Sequence, residues 1–347
     1  MSENILTETS KIKYFSLEPD NEKVMKDFFD FEEIKLKLQE PSQNTGARVF
    51  ILDSEVEFAR QFLFQTNYYS FSIYKKCLPN RSDKQFNFTD CVTLYNFNNF
   101  LRENLMKFTG KIELLIKSSI VHSICVFYSG DLQKGECYLD EKIYVNSREC
   151  ENIKKRIGQS LHSNKSKSLP ILHHVKNKNC KFPVWVIIPE LTFGETTKFI
   201  EKLDELYFQN WIEELFISNN YYNIPALKEH IFKSAKSWIS ATWYIRNVCA
   251  HYGRLYGCNF NVGVPTFYTP TLRELKKINK KKSDNKDLFA YMLAIRNLLI
   301  CHSKTVQEEW NLFMEEIDSK FDSKVIEKKK IGFPESWKDY LLIHIEN

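Results

Sequence analysis

Glycine and proline are scarce in this sequence, with 10 residues of each among 347. Because both residues interrupt helices, their scarcity favours a largely helical protein. Long apolar runs are also missing. The stretch from Val184 to Pro189 is far shorter than the roughly 20 residues of a membrane-spanning helix, and charged Lys181 and Glu190 bracket it. The sequence therefore predicts a helical protein that does not cross a membrane.

A large excess of one charge is absent as well, since 49 Lys and Arg residues face 44 Asp and Glu residues, for a formal net charge of +5. This mild excess permits nucleic-acid binding without demanding it. The basic residues cluster, and together the clusters predict a surface that follows an RNA backbone, although each cluster alone is more simply solvated surface. The clusters are Lys154–Lys181, Arg273–Lys286 and Lys320–Lys330.

Paired cysteines are missing too. The nine cysteines are an odd number, and no two of them form a Cys-x-x-Cys pair. The opening residues Met1–Lys13 are polar and contain no secretory leader, so we expect a cytoplasmic protein in a reducing compartment. His173, His174 and Cys180 have no second pair of ligands at a spacing that closes a tetrahedron. The sequence therefore predicts neither a metal site nor a cofactor.

The segment Trp243–Tyr256 contains residue types that packing alone does not explain. Its apolar spacing predicts the end of a helix. On a helical wheel Asn247, His251 and Arg254 stand at i, i+4 and i+7, so their side chains share one face. The long stem of Arg246 can bring its guanidinium to the same edge. One helix end is therefore predicted to present an imidazole, two guanidiniums and an amide.

These groups suit the chemistry of a phosphodiester. An imidazole titrates near neutrality and can take or give a proton, and a guanidinium stays charged and offers forked donors to phosphate oxygens. We predict that Arg246, Asn247 and His251 are catalytic, with Asn247 orienting the imidazole or bonding a phosphate oxygen. The residues predicted to contact RNA or its phosphates are Arg254, Tyr252, Lys280, Lys281 and Lys282.

Apolar residues that recur every three or four positions predict four long helices. They span Thr89–Phe127, Glu195–Phe216, Pro225–Tyr256 and Leu288–Cys301. The segment Ser129–Pro170 lacks this period and is predicted to be a polar, basic connection with a mobile loop. Upstream, the aromatic stretch Tyr68–Tyr74 is explained either by packing or by stacking of RNA bases on its rings.

Five groups of short motifs follow one another along the chain. They are Leu94-Tyr-Asn-Phe97 with Leu101-Arg102, Lys111-Ile-Glu113, Pro183-Val-Trp185, Arg246-Asn-x-x-x-His251 followed by Gly253-Arg-Leu255, and Ile331-Gly-Phe-Pro334 with Trp337. In this order they resemble the Abi family of bacterial abortive-infection proteins, and the fourth group resembles the signature of HEPN-superfamily ribonucleases. The sequence departs from the family at Asn98, where an acidic residue is usual, and at Lys111, where arginine is usual.

The resemblance implies a mostly α protein with a HEPN-like helical-bundle core and with N-terminal and C-terminal helical elaborations. Residues 1–85 are expected to form an N-terminal helical and aromatic extension, and residues 86–302 the HEPN-like core, with a basic insertion near 130–182. Residues 303–347 are expected to form a helical tail that packs Phe333 and Trp337 back on the core. Glu113 is a candidate to pair with one of the motif arginines or to form an ordinary surface ion pair.

The function implied by the resemblance is that of an abortive-infection toxin, a metal-independent endoribonuclease of phage defence. His251 would act on the 2′-hydroxyl or the leaving 5′-oxygen, and the products would carry a 2′,3′-cyclic phosphate and a 5′-hydroxyl. Arg246 would offset charge on the phosphoryl oxygens, and DNA would be refractory because it lacks the 2′-hydroxyl. A homodimer would supply a second imidazole, and a structured noncoding RNA is the expected antitoxin.

Two other functions are compatible with the same residues. The protein could be a non-catalytic RNA-binding module that grips phosphate with its Arg/His face, or an oligomeric scaffold that senses phage. A second Arg-Asn pair, Arg296-Asn297, is followed by His302, but its interior is aliphatic and the Gly-Arg-Leu tail is missing. We therefore expect an ordinary packing helix there, and a contribution of Arg296 and His302 to the site stays open.

Overall fold

The computed structural model describes residues 28–217, 225–267 and 285–345. Within these ranges the chain is mostly helical, which confirms the predicted mostly α class. The α-helices are α1 Phe31–Gln39, α2 Val56–Gln65, α3 Tyr68–Ser72, α4 Phe88–Phe127, α5 Ser147–Asn164, α6 Leu169–Asn177, α7 Val184–Glu190, α8 Phe193–Glu201, α9 Glu205–Ile217, α10 Pro225–Ala250, α11 Leu288–Leu299, α12 Lys304–Lys320 and α13 Trp337–Leu341. Two strands, β1 Arg48–Phe50 and β2 Gln85–Asn87, pair in parallel. None of the helices in these ranges is both long enough and apolar enough to span a bilayer.

The 40-residue helix α4 lies at the centre of the fold, in contact with α7, α9, α10 and α11. At 1.5 Å per residue it is about 60 Å long. It begins at Phe88, where Asp90 accepts the backbone N–H of Asn87 at 2.9 Å, one residue before the predicted start. Leu101, Leu105 and Ile112, which belong to its apolar stripe, are fully buried. The predicted apolar stripe of α4 is therefore the face on which the other helices pack.

The prediction of a polar connection over Ser129–Pro170 is wrong, because the structure places an 18-residue helix, α5, in this segment. Asn146 caps it by accepting the backbone N–H of Glu149 at 3.0 Å. Its buried side chains recur every three or four residues and pack towards α7 and α8. They are Cys150, Ile153, Ile157 and Ser160. The apolar stripe is narrow and surrounded by charged residues, so the polar composition of the segment conceals it.

The segment predicted as one helix over Glu195–Phe216 forms two helices, α8 and α9. The break between them pairs with the residues that precede α5: Lys202 accepts the backbone N–H of Val145 at 3.0 Å, and Asp204 donates its backbone N–H to Ile143 at 2.8 Å. These bonds replace helical ones at the break. A contact with a segment about 60 residues upstream thus ends α8, and local sequence does not encode it.

Helix α8 approaches the site-bearing helix α10 at Gly194. A Cβ atom at Gly194 would lie 2.8 Å from Nε1 of Trp243, which is closer than a side chain tolerates. The glycine therefore permits close packing of the two helices, directly before the predicted site. This is a physical role for the glycine in the segment that follows Pro183-Val-Trp185.

The described segments towards each end of the chain pack on the helical core. Phe333 contacts Phe289 of α11 at a ring-centroid distance of 5.5 Å and Trp337 at 5.0 Å, as the sequence predicts. Near the other end, Tyr74 is buried and contacts Tyr95 of α4 at 5.7 Å, in a segment that forms α3 and a following 3-10 turn. Packing therefore accounts for Tyr74, whereas Tyr69 stays half exposed.

Candidate functional site

Helix α10 carries the predicted catalytic residues at its C-terminal end. Its buried side, which includes Trp238, Ile245 and Cys249, packs on α4 and α11. Arg246 and Asn247 are partly exposed at the edge of this side, and His251 is exposed just past the last helical residue. The packing of α10 thus leaves the imidazole open to solvent.

The helix ends at Ala250, so the predicted continuation to Tyr256 is wrong. Tyr252 donates its backbone N–H to Cys249 at 3.1 Å, and Gly253 donates to Val248 at 2.7 Å. These two bonds, with Tyr252 at φ +55°, form a Schellman motif, the usual way in which a left-handed residue stops a helix. Arg254 lies in the turn after the helix. It therefore does not share a helix face with Asn247 and His251, contrary to the prediction.

Arg254 folds back on this turn. Its Nη1 donates to the carbonyl oxygens of Tyr256 at 2.8 Å and Gly257 at 3.2 Å, and lies 3.3 Å from Sγ of Cys77. The backbone N–H groups of Leu255 and Tyr256 in turn donate to Oδ1 of the buried Asn98. One end of the Arg254 guanidinium is therefore used within the chain, where it holds the turn against α4 and the Cys77 segment.

Arg246 has a different environment. Its Nη1 lies 3.5 Å from Oδ1 of Asn247 and its Nε lies 3.5 Å from Oε2 of Glu113, both at the long limit of hydrogen bonding. The contact with Glu113 is an ion pair rather than a hydrogen bond, and the buried Nε has no hydrogen-bond partner in the described ranges. Arg246 is thus held electrostatically with most of its donors unused, and its side chain is 34% exposed.

Glu113 joins Arg246 to a buried lysine. Its Oε1 accepts a hydrogen bond from Nζ of Lys117 at 2.8 Å, and the two side chains are only 14% and 9% exposed. Lys117 also donates to the carbonyl oxygen of Leu191 at 2.5 Å. Because one carboxylate faces two cations, the three side chains carry a net charge of about +1. The arrangement fixes Arg246 without cancelling its positive charge.

Arg102 of α4 belongs to this site, although in the sequence it stands out only as part of the Leu101-Arg102 motif. Its Nη1 donates to the carbonyl oxygen of Tyr252 at 3.1 Å, and its Nη2 donates to Oδ1 of Asn99 at 2.7 Å. The guanidinium also lies 4.8 Å from the centre of the Tyr252 ring. The Leu101-Arg102 motif was the available signal, but only the fold shows that Arg102 reaches a residue 150 positions away.

The structure brings some predicted residues together and separates others. The side chain of Asn247 contacts Arg246, so the structure gives no contact through which Asn247 would orient the imidazole. Within the described ranges the His251 ring makes no hydrogen bond or ion pair. Lys280, Lys281 and Lys282 lie outside the described residues.

The second Arg-Asn pair has packing contacts. Nε and Nη2 of Arg296 donate to the carbonyl oxygen of Leu342 at 3.3 and 3.0 Å, which ties α11 to the C-terminal segment. Nδ1 of His302 accepts the backbone N–H of Ser303 at 2.8 Å. Desolvation lowers the pKa of His302, and Lys111 adds to this effect. The surrounding structure therefore favours the neutral form of His302.

A basic groove lies between α5 and α8, within the first predicted cluster and beyond it. Its volume is about 600 Å³. The cations that line it are Lys155, Arg156, Lys198 and Lys202. Glu149 is the acidic residue among the lining side chains and lies 3.4 Å from Lys202. In the part of the chain that the structure describes, no three His, Cys, Asp or Glu side chains are grouped so as to hold a metal ion.

Comparison with known proteins gives one match. The family described as Abi-like protein matches residues 61–257, more than half of the chain and the whole span from α2 to the turn after His251. No curated protein and no solved structure matches the chain. The matched span includes Arg102, Glu113, Lys117 and Arg246, so the contacts between α4 and α10 lie inside the family region.

Proposed function

Because the chain belongs to the Abi-like protein family, and is thus an abortive-infection-type protein, we propose that it is an endoribonuclease of phage defence with its active site at the end of α10. One observation carries the proposal. Within the described ranges, His251 is an exposed imidazole without an internal partner, and it follows by five residues a guanidinium with unused donors, Arg246. Such a pair can move a proton and bind a phosphoryl oxygen at the same place.

The proposed reaction uses the substrate's own 2′-hydroxyl. His251 takes the proton of the 2′-hydroxyl, the 2′-oxygen forms a bond to the adjacent phosphorus, and the bond from phosphorus to the 5′-oxygen breaks. The leaving oxygen receives a proton, so the products end in a 2′,3′-cyclic phosphate and a 5′-hydroxyl. Arg246 offsets the charge that grows on the non-bridging oxygens. DNA has no 2′-hydroxyl and is not cleaved.

One chain supplies one such imidazole, while the reaction profits from both a base and an acid. We propose a HEPN-like homodimer in which the partner subunit's His251 faces the first across a two-fold axis. The exposure of His251 supports this arrangement, since a buried ring could not reach a second subunit. The two imidazoles would titrate as a coupled pair.

The toxin also needs restraint in its own cell, and we propose that a structured noncoding RNA provides it. The groove between α5 and α8 supports this proposal. Four cations line it against one carboxylate, Glu149, and a polyanion gains counterion-release free energy on such a surface. The groove is also what the rival hypothesis of a non-catalytic RNA-binding module would use, so the two must be separated by cleavage.

The test compares growth and RNA integrity after expression of wild type, His251→Ala and Arg246→Ala, followed by assays of the purified proteins with EDTA present. His162→Ala is the matched control, because His162 is also an exposed histidine at a helix end. We expect cyclic-phosphate ends from wild type and His162→Ala, and none from the other two. Equal toxicity and cleavage by all four proteins would refute the proposal. RNA that is bound but left intact would favour the binding module.

The scaffold hypothesis makes a different prediction for the same variant. If His251 belonged to a structural network, His251→Ala would lower the melting temperature. Within the described ranges the ring has no partner to lose, so we expect the melting temperature of His251→Ala to equal that of wild type within error.

A further inference from the structure

Tyr252 directly follows His251 and occupies a backbone conformation that disfavours it. Its φ is +55°, and it stands at the C′ position of the Schellman motif, where glycine is usual because it has no Cβ. A tyrosine at this position strains the backbone. Strain that persists at one residue needs a compensating gain, either in packing or in function.

Packing of the Tyr252 side chain does not compensate for this backbone strain. The Tyr252 side chain is 80% exposed, so its ring buries little apolar surface. Arg102 is its cation–π partner, with the guanidinium 4.8 Å from the ring centre. Among residues 28–217, 225–267 and 285–345, no other aromatic ring contacts the Tyr252 ring. The ring is therefore displayed to solvent beside the proposed catalytic imidazole.

Arg102 holds both parts of this residue in place. Its Nη1 donates to the Tyr252 carbonyl oxygen at 3.1 Å, its Nη2 donates to Oδ1 of Asn99 at 2.7 Å, and its guanidinium carbon lies 4.8 Å from the ring centre. Backbone and side chain are thus fixed by one arginine of the rigid helix α4. An aromatic surface that is exposed, electron-rich and preorganised is what an unpaired nucleobase stacks on.

We propose that Tyr252 stacks on an unpaired base next to the scissile phosphodiester, with Arg102 as its positioning residue, so that the site takes single-stranded rather than duplex RNA. The assignment of RNA as the ligand rests on the proposed function. Stacking does not depend on base identity because every base has a π face. Bases in a duplex are stacked on one another, so a helical region cannot occupy the ring.

The experiment exploits the opposite effects expected on stability and on binding. Tyr252→Gly relieves the backbone strain, so its melting temperature should equal or exceed that of wild type, while its affinity for labelled single-stranded RNA falls roughly tenfold, the typical loss for one base–aromatic stack. Tyr252→Phe keeps the ring and should stay within about twofold of wild type. Lys84→Gly is the matched control, since Lys84 is also left-handed, at φ +53°, and its affinity should not change. Binding is measured in the His251→Ala background to prevent cleavage.

The role of Arg102 as a positioning residue is tested by combining Arg102→Lys with Tyr252→Gly. Arg102→Lys should weaken RNA binding when Tyr252 is present and have no effect when residue 252 is glycine, because a positioning residue acts through the ring. A blunt-ended RNA duplex without unpaired bases should bind Tyr252→Gly and the parent equally. Affinity of Tyr252→Gly for single-stranded RNA equal to the parent's would overturn the inference and leave the nuclease proposal standing if wild type cleaves. RNA that is bound in a Tyr252-dependent way but never cleaved would leave the stacking role standing and remove the nuclease.

Discussion

Oδ1 of the buried Asn98 accepts the backbone N–H of Leu255 at 2.7 Å and, in addition, that of Tyr256 at 3.1 Å. This bond joins the central helix α4 to the turn that follows His251. It matters for the site because the turn determines where α10 stops. The Nδ2 of Asn98 is buried without a hydrogen-bond partner in the described ranges.

We predict that Asn98→Ala lowers the free energy of unfolding by at least about 1–3 kcal/mol, the cost of one buried donor left unpaired, since two donors lose their acceptor. Asn98→Asp should be less destabilising, because a carboxylate accepts both N–H groups and removes the unpartnered Nδ2. Urea denaturation at neutral pH measures both. A larger loss in Asn98→Asp than in Asn98→Ala would show that desolvation of the charge outweighs its two hydrogen bonds.

The buried pair of Glu113 and Lys117 gives a second prediction. Lys117→Met leaves the Glu113 carboxylate without its close partner, and we expect a loss of about 3–5 kcal/mol of stability. Adding Glu113→Gln to this variant should recover most of the lost stability, because no buried charge then remains unpaired.

The single variant Glu113→Gln should also reduce RNA cleavage, since Arg246 loses its electrostatic anchor. Lys198→Met, in an exposed pair with Glu201, is the control and should change stability by less than about 1 kcal/mol.

The two motif arginines should respond differently to lysine. Arg254→Lys loses the fork that reaches the carbonyls of Tyr256 and Gly257, so we expect a lower melting temperature. Arg246→Lys should keep the melting temperature and lose cleavage, because lysine cannot contact a phosphoryl group with two donors. Thermal unfolding and an RNA cleavage assay separate the two effects. A stable Arg254→Lys protein with weakened RNA binding would instead assign Arg254 to the phosphate site.

The pKa of His302 predicts how stability depends on pH. Desolvation and then Lys111 lower this pKa from its ordinary value of 6.5, while Glu309 opposes them. The unfolded chain therefore binds a proton more readily than the folded one, and the stability contributed by neutral His302 is full above pH 6.5 and is lost as the pH falls below it. His302→Gln should flatten the decline in unfolding free energy between pH 7.5 and roughly pH 5.5. It should not abolish the decline, because burial lowers the pKa of His230 too.

The groove between α5 and α8 is tested by charge reversal. We expect Lys155→Glu with Arg156→Glu to weaken RNA binding and to reduce the slope of log affinity against log salt by about two, one for each lost phosphate contact. Lys76→Glu with Lys304→Glu changes the net charge equally at exposed positions outside the basic clusters and should leave the slope unchanged. Equal slopes in the two double variants would show that the groove acts only through total charge.

Periodicity in the sequence predicted the helical class, two helix spans to within two residues, and a helix end near Arg246, Asn247 and His251, although it placed that end six residues too late. It failed at α5, where the apolar stripe is narrow, and at the break between α8 and α9, where the Val145 and Lys202 backbones meet. The Glu113 ion pair with Arg246, one of two options left open by the sequence, is present. Whether these residues cleave RNA stays a prediction.

The residue types at the end of α10 and their order are properties of the sequence alone, because side-chain chemistry and helical spacing are local. Tertiary structure decided which contacts each arginine makes, and therefore which of them remains open to a ligand. Arg254 turned inward to Cys77, Arg102 reached Tyr252, and Arg246 met Glu113 at a distance that leaves its donors open. These contacts join residues more than 100 positions apart, and such pairings arise from tertiary packing rather than from any local pattern.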